Sequence, residues 1–160
     1  MSSEESCNKL TFDTLNIPEN ILRGIYAYGF EKPSRIQNES IPYLMKGTDL
    51  IGQSQSGTGK TGAFSIGTLC KIDENVSKTQ AIIISPTHEL ADQSYNVIQE
   101  LSKYTKITSC KVIGGTNINA SKEELNKNPH IIIGTPGRIL DMINREYLFT
   151  SDINIMVFDE

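Results

Sequence analysis

Long apolar stretches are missing from this sequence, as is any cysteine pattern and any excess of positive charge. The longest apolar runs, "AIIIS" and "HIIIG", are strand length, far short of the ~20 residues that a membrane span needs. The opening "MSSEESCN" has no basic flank followed by an apolar segment, so no secretory signal is evident. An intracellular protein is expected, cytoplasmic with the nucleus as second compartment. Cys7, Cys70 and Cys110 are odd in number, widely separated and without a CxxC pair, which points to plain thiols rather than a zinc or redox site. Fifteen Lys and Arg against nineteen Asp and Glu leave a net charge of −4. Nucleic acid would therefore not be held mainly by bulk charge, but by local backbone donors and a few placed basic side chains. Internal repeats, low-complexity tracts and long linkers are also lacking. The 160 residues read as one domain, able to bury about two thirds of its unfolded surface. Residues 1–9 are expected to be a flexible tail and 10–160 the folded domain.

Short segments rich in β-branched residues are what the chain does have. "TDLIGQ" (48–53), "TQAIIIS" (79–85), "SCKVIG" (109–114), "HIIIG" (130–134) and "NIMVFDE" (154–160) are nearly continuous apolar runs, the pattern of strands buried on both faces. Amphipathic segments of helical length, 60–71, 87–103 and 136–145, lie between them. The alternation predicts an α/β domain, a parallel sheet with helices on both faces. Ahead of it, 18–28 and 34–46 predict an N-terminal helical extension. The first of these helices starts at Pro18 and stops at Gly29. The second is capped by Ser34, and Pro42 is expected to bend or interrupt it. Tyr26, Tyr28 and Tyr43 are predicted to pack the core, and "KEELNKN" (122–128) to form a solvated helical face.

The segment "GQSQSGTGKTGAF" (52–64) raises a sharper possibility. A strand, then "SQSGTGKT", then a helix is the context of a phosphate-binding loop. In such a loop backbone N–H groups form an anion nest, and the helix adds the positive end of its dipole. Gly57 and Gly59 let the backbone take conformations closed to other residues. Lys60 supplies a point charge for β- and γ-phosphates, and Thr61 a hydroxyl for magnesium. The strict pattern wants a glycine where Ser54 stands. The bland alternative, a glycine-rich turn with no ligand, fits the placement after a buried strand less well. At the chain end, "IMVFDE" is an apolar strand closing on two acids. Asp159 is placed to hold magnesium and Glu160 to orient or deprotonate an attacking water.

Taken together and in order, these and further motifs resemble the first RecA-like domain of a DEAD-box RNA helicase. "GFEKPSRIQ" (29–37), with Phe12 upstream, is similar to the family's Q motif, and "SQSGTGKT" to motif I, where the family usually has alanine at the position of Ser54. "PTHELA" (86–91) resembles motif Ia, Gly114 and Gly115 the glycine doublet, "TPGR" (135–138) motif Ib, and "VFDE" the first half of motif II. "LRGIYAYGFEKPS" and "IGGTN" are similar to the translation initiation factor four-A group and its nuclear relatives.

This resemblance implies an RNA-dependent ATPase using ATP and Mg2+. It places Phe12 and Gln37 on the adenine, and Ser54, Gln55, Ser56, Gly57, Thr58, Gly59, Lys60 and Thr61 around the phosphates. Thr61 and Asp159 would serve the metal, with Lys60, Asp159 and Glu160 as the catalytic set. Single-stranded or duplex RNA would be held without regard to sequence by Pro86, Thr87, His88, Gly114, Gly115, Thr135, Gly137 and Arg138, through phosphates and sugars. His88 departs from the family's arginine, which predicts weaker, pH-dependent RNA binding. The family's second RecA-like domain, with its arginine fingers, is expected in cis. Without it this chain is expected to be nearly inactive as a helicase. The implied role is RNA remodelling in translation initiation, with a scaffold protein of the initiation-complex type. Exon-junction, splicing or ribosome-assembly work in the same family stays open. So do a phosphate-loop ATPase acting on another substrate and a non-enzymatic fragment binding a helicase scaffold.

Overall fold

Apolar residues alternate their side of a sheet, and here the alternation sorts two cores. A computed structural model describes residues 10–160; the expected tail, 1–9, and Cys7 lie outside the described residues. The strands are β1 (Ala81–Ile84), β2 (Ser109–Val112), β3 (Ile131–Gly134) and β4 (Ile155–Phe158). They form one parallel sheet in the order β2-β3-β1-β4. Ala81, Ile83, Ile131 and Ile133 point to one face, against α3 (Lys60–Lys71), α4 (His88–Leu101) and, beyond them, α1 (Glu19–Tyr28). Ile82, Ile132, Cys110 and Val112 point to the other, covered by Leu125 of α5 (Ile118–Asn126) and by Ile139 and Met142 of α6 (Pro136–Asn144). Burial on both faces is why β1 and β3 are runs of isoleucine.

The N-terminal extension follows its punctuation. α1 begins after Pro18 and ends at Gly29, whose φ of 103° is the left-handed conformation that favours glycine. α2 (Arg35–Met45) starts at a reciprocal capping box: Ser34 accepts from the Gln37 N–H and Gln37 accepts from the Ser34 N–H. Pro42 does not interrupt α2, which runs through it unbroken. Losing one backbone hydrogen bond is outweighed by packing on α3, so close that a Cβ on Gly67 would lie 2.6 Å from the Leu44 side chain.

Three further expectations are corrected. Residues 48–53 are not a strand: among the described residues they have no ladder partner, and Ile51 is 97% exposed. Apolar sequence supplies a strand's faces, but only a neighbouring strand supplies its hydrogen bonds. Here β4 is one edge of the sheet and a cleft separates it from residues 47–52. Met156 and Phe158, which alternate along β4 with the half-buried Ile155 and Val157, are exposed. Tyr26, Tyr28 and Tyr43 are exposed rather than core. Their rings lie on the exposed sides of α1 and α2, each an apolar body with a polar tip. Tyr26 donates its hydroxyl hydrogen to Asp13, and Tyr28 meets Phe30 edge-on at 4.8 Å.

Candidate active site

All four parallel strands end at the same side of the sheet, so the residues that follow them gather there. This is where open α/β sheets place their chemistry. Thr87 and His88 follow β1, Gly114 and Gly115 follow β2, Thr135 to Arg138 follow β3, and Asp159 and Glu160 follow β4.

The loop before α3 has the geometry of an anion nest. Gly57 and Gly59 take φ values of 78° and 98°, and among the described residues no backbone N–H from Ser54 to Gly59 has an acceptor. Lys60 opens α3 and donates to the Ser54 carbonyl at 2.8 Å, while Ser54 and Thr58 share a 2.6 Å hydroxyl contact. A side chain at Gly59 is forbidden twice: its φ is left-handed, and a Cβ would lie 2.7 Å from Gln37 Nε2.

Lys60, Asp159 and Glu160 line one cleft of about 820 Å3. The Asp159 carboxyl is pushed above the usual aspartate range, chiefly by burial and secondarily by Glu160, against an opposing pull from Lys60. A carboxylate that is short of positive charge at such a place suits a bound cation. Thr61 sits beside Lys60 in the first turn of α3.

Gln37 is 3% exposed and joins α2 to the loop. Its Oε1 accepts from Ser34 N at 3.0 Å and its Nε2 donates to the Gly59 carbonyl at 3.1 Å. One Nε2 hydrogen and one Oε1 lone pair remain. Phe12 does not stand where base stacking requires it. It has no exposed surface, because its ring is locked against Phe30 and Tyr26 at 6.2 Å from each. The aromatic beside Gln37 is Phe30, whose ring carbons would lie 3.2 Å from a Cβ on Gly62. Sequence reasoning passed over it although it stands inside "GFEKPSRIQ"; only the fold shows that it, not Phe12, borders the loop.

The loops after β1, β2 and β3 form a second continuous surface. Cβ atoms placed on Gly114 and Gly115 would each lie 3.6 Å from the His88 ring, so motif and doublet are neighbours. Thr87 caps α4 by accepting from the Leu90 N–H, which leaves its own hydrogen free to donate. Thr135 is 8% exposed, and its hydroxyl accepts from Gly114 N at 3.2 Å, stapling the two loops. Arg138 is turned inward: Nη2 donates to the Thr116 carbonyl at 2.7 Å, and Nη1 to the hydroxyls of Thr116 and Ser121 at 3.2 and 3.1 Å. Pro86, Gly115 and Gly137 are exposed.

Away from these surfaces, burial pushes the Cys70 and Cys110 thiols up to about 12, and both are therefore unreactive. Among the described residues no helix is long and apolar enough to cross a membrane.

Comparison with known proteins gives this arrangement its context. The family model described as DEAD/DEAH box helicase matches residues 34–160. Eukaryotic initiation factor 4A of Drosophila melanogaster is 49% identical over 149 residues, covering 93% of this chain and 37% of the fly protein. ATP-dependent RNA helicase FAL1 of Coccidioides immitis is 47% identical over 159 residues, 99% of this chain and 40% of that one. Among solved structures, S. cerevisiae Dbp5 bound to RNA and ADP BeF3 superposes with a TM-score of 0.85 at 42% identity, over 94% of this chain and 38% of Dbp5. The chain thus spans about two fifths of the length of these relatives, and its fold is RecA-like.

Proposed function

This chain belongs to the DEAD/DEAH box helicase family, and from that premise we propose that it is the ATP- and RNA-binding first half of an RNA helicase's motor. The observation that carries the reading is that Lys60, Asp159 and Glu160 face one cleft beside unpartnered loop N–H groups, with the three-loop surface on the same side of the sheet. The Dbp5 neighbour holds RNA and ADP BeF3, which supports the assignment of one ligand to each surface.

The residues here fit an ATP and its metal. The N–H groups from Ser54 to Gly59 bind the β- and γ-phosphate oxygens, and Lys60 leaves the Ser54 carbonyl to pair with them. Gln37 offers its remaining hydrogen and lone pair to the adenine edge, an amide pairing that distinguishes adenine from guanine, and Phe30 supplies the apolar contact. Thr61 and Asp159 would hold Mg2+, which when bound neutralises charge on the phosphate oxygens. Glu160, exposed at the end of β4, orients the attacking water.

On the second surface, Thr87, Gly115 and Gly137 present hydroxyl and backbone donors to the phosphates and sugars of one RNA strand. Arg138 acts there by holding the doublet loop rather than by touching RNA. Such contacts are blind to sequence. In the complete protein a second RecA-like domain in cis supplies arginines that stabilise charge in the transition state, typically worth several powers of ten in rate. This chain alone therefore binds ATP and RNA and hydrolyses very slowly. We assign the cellular role to remodelling RNA during translation initiation, in the cytoplasm and with a scaffold partner, on the likeness to the fly initiation factor.

The test is fluorescence titration of the chain with Mg-ATP and with a single-stranded RNA, and RNA-stimulated hydrolysis by the protein joined to its second domain. Lys60→Ala is expected to abolish nucleotide binding and Glu160→Gln to stop hydrolysis while leaving binding. ATP hydrolysis that RNA does not stimulate would refute the RNA half of the reading.

A further inference from the structure

The phosphate loop is closed by a contact that its glycines and lysine do not require. Thr58 Oγ1 donates to the Gln55 carbonyl at 2.7 Å, and a hydroxyl has one hydrogen to give. In the 2.6 Å contact between Ser54 Oγ and Thr58 Oγ1, Ser54 is therefore the donor. The Ser54 carbonyl meanwhile accepts from Lys60 Nζ at 2.8 Å. Ser54 is thus held at both ends, by Thr58 through its side chain and by Lys60 through its backbone. Between these ties lie the unpartnered N–H groups of the nest.

An arriving phosphate competes for the Lys60 ammonium and needs those N–H groups to converge on it. The lysine tie is exchanged for a better one, an ammonium on a phosphate. The hydroxyl tie from Ser54 to Thr58 is not replaced in that exchange, so it favours the shut loop alone. A contact present in one state only shifts the equilibrium by its own net strength.

We propose that the Ser54 hydroxyl is a latch that sets nucleotide affinity by holding the phosphate loop shut. This rests on the reading that the loop takes a nucleotide. When only the open fraction binds, apparent affinity scales with that fraction. A neutral hydroxyl pair has the net strength to hold the open population down by about two- to tenfold. The penalty falls on association, because the latch is already broken in the bound loop.

Stopped-flow binding of a fluorescent Mg-ADP to this chain tests it. Ser54→Ala is expected to tighten binding about two- to tenfold, with the gain in the association rate and dissociation nearly unchanged. Ser54→Thr keeps the hydroxyl and stays close to the parent. If the parent binds and Ser54→Ala binds equally or more weakly, or the gain lies in dissociation, the latch is wrong and the nucleotide reading stands. If parent and variants melt cooperatively and none binds, the nucleotide reading itself fails and takes the latch with it.

Discussion

Replacing Gln37 tests whether this side chain builds the site or only touches a ligand. In the structure its amide satisfies the Ser34 N–H and the Gly59 carbonyl, at 3.0 and 3.1 Å, from a position 3% exposed. Gln37→Ala leaves both partners unsatisfied, at about 1 kcal/mol each in a half-buried setting, and removes packing worth about another 1 kcal/mol. The sum is about 2–4 kcal/mol, against a total stability of about 5–15 kcal/mol. For a chain of this size that is a fall of about 5–15 °C in Tm, readable by thermal denaturation without any nucleotide.

Gln37→Glu sharpens the test. Its carboxylate can still accept from Ser34 N–H but repels the Gly59 carbonyl, so its folded pKa lies above the ordinary glutamate value of about 4.3. An acid with a raised folded pKa costs stability above that pKa, and the cost disappears as pH falls and the proton restores a donor. The Tm gap between Gln37→Glu and the parent is therefore expected to be widest at pH 7 and to narrow toward pH 5. If Gln37→Ala melts within about 2 °C of the parent yet loses nucleotide affinity, the amide serves the base alone and the coupling of α2 to the loop is refuted.

Other perturbations separate the two surfaces. Arg138→Lys cannot span the Thr116 carbonyl and the two hydroxyls at once; RNA affinity by fluorescence anisotropy is expected to fall about tenfold, with nucleotide affinity unchanged, and equal losses of both would contradict the clamp. His88→Arg replaces an imidazole with a permanently charged guanidinium. RNA should bind the variant more tightly at pH 8, and an unchanged affinity removes His88 from the RNA surface. Asp159→Asn removes a carboxylate whose pKa burial has raised. An acid with a raised folded pKa costs stability above that pKa, so the nucleotide-free variant is expected to melt slightly higher at pH 7 and, by calorimetry, to lose the Mg2+ contribution to nucleotide binding. A lower Tm would contradict the assigned cause.

Much of the site was legible because its chemistry is local in sequence. Ser54 to Thr61 need glycines at set spacing ahead of a helix, and the left-handed Gly57 and Gly59 supply the turn although no strand precedes it. Ser34 and Gln37 announce a capping box three residues apart. The surroundings of Phe12 and Arg138 were not legible for a shared reason: an aromatic ring and a guanidinium look the same in sequence whether they face a ligand or the protein. Phe12 has Phe30 and Tyr26 around it, and Arg138 has Thr116 and Ser121, residues 14 to 22 positions away. No local pattern reports neighbours at that separation.

The sheet divides along the same line. That "AIIIS" and "HIIIG" are buried strands follows from composition alone, since two apolar faces demand two covered faces. The amino-acid order therefore determined by itself the capped helices and the glycine turn into α3, which rest on contacts within a few residues, and the α/β alternation, which rests on apolar periodicity. Only the tertiary structure decided that β1 and β3 are central, that β2 and β4 are the edges, and that 48–53 stays outside the ladder across a cleft from β4. A strand exists through hydrogen bonds to a neighbour, and which neighbour arrives is settled by how the whole chain packs.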